Sequence, residues 1–412
     1  MSTVGWIDFS SEDRQRVQEV LALMKEKGTL DELGIGQVRD AFSDILFPGF
    51  STIQTSSRYF LTVPKILLNW ANLTRTQRNK TPLPDYLTRE ENALAQRLVE
   101  NHNRLNLSLE GIIGHTLVGK KDGVARLPSS TYWNGMRVFG IVQTEDSLSE
   151  FCGSWDPHVS IRDPIQAEEG SDDEEARLEV KVWRPPGAPK AWPTDLTLKL
   201  TNAEAKSLSG KFLGAADQRN SVVTQLIKNS LIKQAVKTDL RRFDTFCDWA
   251  QSRQKLSKEC RLNLERAKNF SLAMEGAHIV YNRLLAGKTG NDELTGKCVE
   301  RMANWRFAVI QADIFHSGAD HEWLSVAKET NVHVRQLTQD FLLKWNTAMC
   351  GRALDSTLDN LVTKQAKDNK PNRTLLVKPP QKKETWYGMD TLDYRWRNAR
   401  SMLIDLSQAG IC

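Results

Sequence analysis

Apolar and polar positions are patterned most legibly over residues 33–70, LGIGQVRDAFSDILFPGFSTIQTSSRYFLTVPKILLNW. Ile35, Val38, Phe42 and Ile45 recur at the spacing of one helix face, and Arg39, Asp40 and Asp44 fall off it. Gly34 and Gly36 suit a tight entry into that helix, because glycine takes backbone angles other residues avoid. Pro48-Gly49 ends it and turns the chain. Residues 51–55 are polar and β-branched, which predicts a short extended passage. A second helix is expected over 57–73, with Tyr59, Val63, Ile66, Leu67 and Trp70 inward. Pro64 removes one backbone donor there and is expected to kink or split it.

Helical spacing also dominates the rest of the chain. Upstream, Ser10 and Asp13 resemble an N-cap arrangement before Val17, Val20, Leu21 and Met24, with Gly28 as the C-terminal stop. Thr88 and Glu91 have capping-box spacing, which predicts a helix to about Asn106 with Leu94, Leu98 and Leu105 inward. Residues 128–141 read as a serine-capped helix with Tyr132, Trp133, Met136 and Phe139 on one face. Further helices are expected over 200–213, opened by a Thr201/Glu204 box, and over 220–231, 238–249, 262–286, 299–317, 323–329 and 332–349. The last helix, 392–406, turns Leu392, Trp396, Ala399 and Leu403 inward.

An acidic run over 168–179 and a proline-rich stretch over 183–193 read as a solvated linker. A second linker, basic and proline-containing, is expected near 364–383. The domain expectation is an N-terminal helical domain over 1–165, a linker over 166–195 and a helical bundle over 196–360. A basic linker over 361–385 and a C-terminal helix over 386–412 complete it. The fold class is mainly α with few strands.

Composition narrows the functional classes. The chain has 412 residues and a net charge of +5, which permits nucleic-acid contact without arguing for it. Six scattered cysteines without a C-x-x-C pair fit reduced thiols better than a disulfide framework or a zinc site. The first residues lack the basic and apolar regions of a signal peptide, and no apolar run is long enough to cross a membrane. A cytoplasmic protein is expected.

Candidate chemistry is sparse. Gly114-x4-Gly119-Lys120 has the glycine spacing of a P-loop, but Lys121 stands where the hydroxyl must be. Glu275-x-x-His278 is half of a di-iron motif without a second copy, so His278 is expected to be a hydrogen-bonded core histidine. His316, Asp320, His321 and Glu322 cluster without a spacing that fixes coordination. No serine sits in a G-x-S-x-G elbow. No metal and no cofactor are therefore expected. Basic residues are better placed. Arg58, Arg75, Arg78 and Lys80 form one candidate nucleic-acid-binding patch, and Lys378, Lys382 and Lys383 lie in the basic linker. Arg39, off the first stripe, and Arg395, on the polar side of the last helix, complete the set.

The opening WIDFSSEDRQRVQEVL and the block LFPGFSTIQTSSRYFL resemble a large uncharacterised bacterial family that carries W-I-D-F-S and L-F-P-G-x-S-T-I-Q-T. The likeness continues through SSTYWNGMRVFGI, LTNAEA, AHIVYNRLLAG and the terminal LDYRWRNARSMLIDL. It departs from the common pattern at Phe50 and at Ser56-Ser57. Genes of this family look to lie among mobile and antiviral-defence loci. The resemblance thus implies a scaffold or adaptor of a defence complex that contacts DNA, RNA or protein partners. The alternative is a metal-dependent nuclease or phosphodiesterase on the N-terminal block, with Asp8, Asp40 and Asp44 as its acids.

Overall fold

In the computed structural model, residues 30–118, 126–154, 182–186, 192–215 and 219–412 are described. The helix expected over Val17–Met24, the Gly119-Lys120-Lys121 turn, the acidic run and the middle of the proline-rich stretch lie outside them, as does Asp8. The protein is mainly α. Sixteen α-helices and one short 3-10 helix occur among the described residues, with a single isolated antiparallel bridge, Val142 to Val182. The chain divides into two compact units. The first contains the described residues up to 46, then 243–253 and 258–394; the second contains those between 47 and 242, then 254–257 and 395–412.

Helix α1 (Gly36–Leu46) opens the first unit and buries Val38, Ala41, Phe42 and Leu46. Its entry is built as the two glycines suggest. Asp31 accepts the N–H groups of Gly34, Ile35 and Gly36 at 2.7, 3.2 and 2.8 Å, so one carboxylate satisfies two of the helix's orphan donors and the turn that leads into them. Gly34 sits at φ +72, where a side chain would be strained.

The second unit begins with the Pro48-Gly49 stop. Residues 51–55 form a turn and an irregular corner, not the expected extended passage. Helix α2 (Tyr59–Ala71) then runs unbroken through Pro64, so of the kink or split expected there the split does not occur. Pro64 falls in its second turn and costs one donor, while burial of eleven of the thirteen residues holds the helix together. Helix α3 (Arg75–Lys80) is a short exposed turn with a Thr74/Gln77 capping box. Helix α4 (Leu83–Arg104) starts five residues before the expected box. Pro84 and Asp85 serve its first turn, so Thr88 bonds back to Pro84 and Glu91 is freed to reach elsewhere. Leu105, expected inward, is exposed because the helix ends before it.

Helix α5 (Pro128–Val138) buries Tyr132, Trp133 and Met136 but has no side-chain cap of its own. Glu91 of α4 supplies it, taking the Ser129 N–H at 2.6 Å and pairing with the Ser129 hydroxyl at 2.9 Å. Helix α6 (Leu148–Ser154) follows, and α7 (Asn202–Gly214) forms the expected Thr201/Glu204 box. Helices α8 (Val222–Lys228) and α9 (Ile232–Ala235) are short. Phe50, Phe60, Phe139 and Phe212 meet edge to face or tilted with centroids 4.5–6.5 Å apart, forming the aromatic centre of this unit.

The chain returns to the first unit with α10 (Phe243–Gln251), α11 (Lys258–Thr289), α12 (Asp292–Gln311), α13 (Ala319–Glu329) and α14 (Gln336–Cys350). Asn291 caps α12, which therefore begins and ends earlier than its apolar spacing suggested. Helix α15 (Asp355–Asn369) occupies residues the sequence read in part as linker. Glu32 is buried among this unit's elements, accepting from Tyr281 and Thr374 at 2.6 Å each and from Lys370 at 3.0 Å. Helix α16 (Trp396–Gln408) closes the second unit with Trp396, Ala399 and Leu403 buried as expected.

Candidate functional site

The site that geometry marks out lies in the second unit, at the irregular corner after Pro48-Gly49. A pocket of about 580 Å³ is walled there by residues 54–56, by the loop after α4 and by α16. That volume falls in the range of small-ligand sites. From α16 come Arg397, Asn398, Ser401, Ile404, Asp405 and Gln408, a face defined by the three- and four-residue spacing of one helix stripe.

The corner has no ladder partner, so side chains hold its backbone. Tyr132 Oη accepts the N–H groups of Thr55 and Ser56 at 2.8 and 3.0 Å and donates to the Ser56 carbonyl at 2.9 Å. Asn398 donates to the carbonyls of Thr52 and Gln54 at 3.0 and 2.7 Å. Ser401 donates to the Thr55 carbonyl at 3.2 Å. Asp405 takes the Ser57 N–H at 2.7 Å and the Ser56 hydroxyl at 2.9 Å, both through Oδ2. Burial pushes its carboxyl up to about 6, against the pull of those two donors and of Arg58.

His102 is fixed at the opposite wall. Its Nδ1 donates to the Ser108 carbonyl at 2.6 Å and its Nε2 accepts the Leu198 N–H at 3.1 Å, so the ring is a neutral, single tautomer. The exposed side chains of Lys199, Glu110 and Gln408 complete the rim. The arrangement presents donors and acceptors of both signs around a rigid floor. Its acid, hydroxyls and imidazole are held in a frame, which suits recognition.

The predicted basic residues are not gathered at one place within either unit. Arg58 is buried, its guanidinium bound to Glu204 and to the Lys199 carbonyl, so it ties α2 to the entry of α7. Arg78 donates to the Ala71 carbonyl at 2.8 Å and lies over the Trp70 ring. Arg75 and Lys80 are exposed on α3. Arg395 is half-buried at the N-cap of α16, at φ 74. In the first unit Arg39 pairs with Asp40 at 2.8 Å, Lys382 with Glu384 at 3.0 Å, and Lys383 donates to the Gly290 carbonyl at 2.5 Å. Lys378 is exposed.

The acidic and histidine candidates are equally dispersed. His278 is buried and pushed down to about 4 by desolvation, but its Nδ1 lacks the hydrogen bond expected of it. Asp320 is buried and accepts from Asn346 at 3.0 Å, while His316 and His321 stay at the surface. Among the described residues no group of three His, Cys, Asp or Glu could hold a metal ion, and no helix is long and apolar enough to cross a membrane.

Fold and pocket together define a helical, two-unit protein with a framed polar pocket in its second unit. The chain belongs to the family described as a family of unknown function, DUF6361, which matches residues 1–410. No curated protein and no solved structure matches it.

Proposed function

We propose that the protein is a cytoplasmic scaffold or adaptor of a bacterial antiviral-defence complex, and that the pocket beside the Gln54–Ser57 corner holds its nucleic-acid or protein partner. One observation carries this reading. Two of the sequence blocks that carry the family resemblance, LFPGFSTIQT and the terminal LDYRWRNARSMLIDL, supply two walls of the same pocket. The defence setting rests on the resemblance and not on geometry. No observation favours the metal-dependent nuclease alternative.

The test is purification from the native host at low and at high salt, with wild type beside Ser401→Trp. Ser401 is half-buried on the pocket wall, so the indole fills the pocket without entering a packed core. The filled variant should lose the co-purifying partner while staying folded, with its stability lowered by about 1 kcal/mol for the lost bond to the Thr55 carbonyl. Nucleic acid lost from wild type at high salt would identify phosphate contacts, and Arg75→Glu with Lys80→Glu should then reduce it further. Retention of every partner at unchanged stoichiometry by the folded Ser401→Trp variant would refute the pocket's role.

A further inference from the structure

Helix α12 is amphipathic in an unusual sense: its outer face is also apolar. Leu294, Cys298, Met302, Trp305 and Val309 are buried inward. On the other side Val299, Phe307 and Ile310 are 61, 68 and 76 % exposed. With about 100° per residue, these three fall with Gly296 and Ala303 within about 40° of one line along the helix. A stripe of this length, with two large side chains open to water, is the mark of an interaction surface. Leu354, 76 % exposed, extends it, since Asp355 beside it pairs with Arg306.

We infer that α12 pairs antiparallel with α12 of a second copy of this chain, with the two-fold axis at Ala303. This goes beyond the adaptor reading and does not depend on it. In that direction the stripe matches large side chains to small ones. In an isologous contact, residues equally far before and after the axis share a level. Val299 then meets the second copy's Phe307, and Gly296 meets the second copy's Ile310. Each level joins a larger side chain to a smaller one, and Ala303 lets the backbones approach at the centre. The flank agrees in polarity. Glu300 and Asn304 lie on one side of the stripe and bond to no other described residue. At about 1.5 Å rise per residue, the dyad brings each Glu300 to within about 3 Å in height of the second copy's Asn304. A carboxylate thus faces an amide donor, twice. A parallel pair would instead set Phe307 against Phe307 and Ile310 against Ile310, two large side chains at one level.

Cysteine cross-linking of the full chain tests both the pairing and its direction, in a background with the exposed Cys350 and Cys412 changed to serine. Under mild oxidation Ala303→Cys should form a covalent dimer. Gly296→Cys alone should not, because its two copies lie about 21 Å apart by the helix rise. Gly296→Cys mixed with Ile310→Cys should cross-link. Sedimentation at tens of micromolar should show twice the chain mass, and Phe307→Glu should return it to the monomer. Phe307 is exposed, so this change leaves the fold intact. A monomeric wild type at that concentration overturns the inference, as does failure of Ala303→Cys to cross-link. Self-cross-linking of Gly296→Cys overturns the antiparallel direction.

Discussion

Replacing Glu91 by glutamine isolates one buried proton and predicts a pH dependence of known sign. Glu91 is fully buried, and desolvation pushes its carboxyl up from 4.5 to about 8, with the two Ser129 donors pulling the other way. The unfolded chain releases this proton near 4.5, and the folded chain holds it until about 8. Between those values the native state binds more protons, so stability falls as pH rises through the window. Below 4.5 the carboxyl is neutral in both states and the penalty is absent. Above about 8 the penalty is complete, on the order of 5 kcal/mol at about 1.36 kcal/mol per pH unit.

Glutamine keeps the geometry without the charge. Its amide oxygen accepts the Ser129 N–H, and its amide nitrogen donates to the Ser129 hydroxyl. The assay is urea unfolding followed by tryptophan fluorescence, with Trp133 on the same helix as Ser129. Near pH 5 the variant should match wild type to within about 1 kcal/mol. Near pH 9 it should be the more stable by several kcal/mol. Asp405 titrates in both proteins and cancels in the difference. A difference that stays constant from about pH 5 to about pH 9 would refute the reasoning, because no proton would then be linked to folding at this site.

Glu32 should show the opposite sign. Desolvation raises its carboxyl, but Thr374, Tyr281 and Lys370 hold it below 4.5, so its stabilisation is present above that value and lost as pH falls. Glu32→Gln should cost the first unit about 2 kcal/mol at neutral pH and flatten its acid limb in the same titration. Gly135→Ala would place a Cβ 2.4 Å from the Gly49 carbonyl oxygen and 2.9 Å from Phe60, so about 3 kcal/mol of the second unit's stability should be lost, read as a lowered thermal midpoint. Arg58→Ala should cost about 3–5 kcal/mol by leaving Glu204 without its buried partner, and adding Glu204→Ala should restore part of it in a double-mutant cycle. The folded fraction of Arg58→Ala should bind nucleic acid as wild type does in a filter assay at fixed salt.

The mainly α class was legible because long amphipathic spacing recurs through the chain, and α1, α7 and α16 stand within two or three residues of their expected starts or ends. What local signals missed were the partners that override them. Thr88 and Glu91 match a capping box by spacing, but Pro84 had already begun the helix, and Glu91 serves Ser129, thirty-eight residues away. Pro64 looked like a break because the sequence does not reveal that nearly every neighbour in α2 is buried. Arg58 looked like a phosphate ligand because its pairing with Glu204 spans 146 positions. The pocket had one local sign that was not used. Asn398, Ser401, Asp405 and Gln408 form a polar stripe beside the apolar one, and an acid in such a stripe next to a buried face is where a framed site would be sought. The corner it meets carries no such sign, since its role depends on Tyr132.

The way that corner is held limits what the pocket can recognise. The N–H groups of Thr55, Ser56 and Ser57 and the carbonyls of Thr52, Gln54, Thr55 and Ser56 are all engaged by Tyr132, Asp405, Asn398 and Ser401. A partner entering the pocket therefore cannot add a strand to this backbone without breaking bonds that already exist. It must be read by side chains, through Gln408, Glu110 and Lys199 at the rim and the Asp405 carboxyl on the wall. Because burial has already raised Asp405 toward neutrality, a ligand donor placed against it would favour the ionised form and lower its titration point. Binding through Asp405 must then release a proton near pH 6, whereas binding at the rim alone would release none.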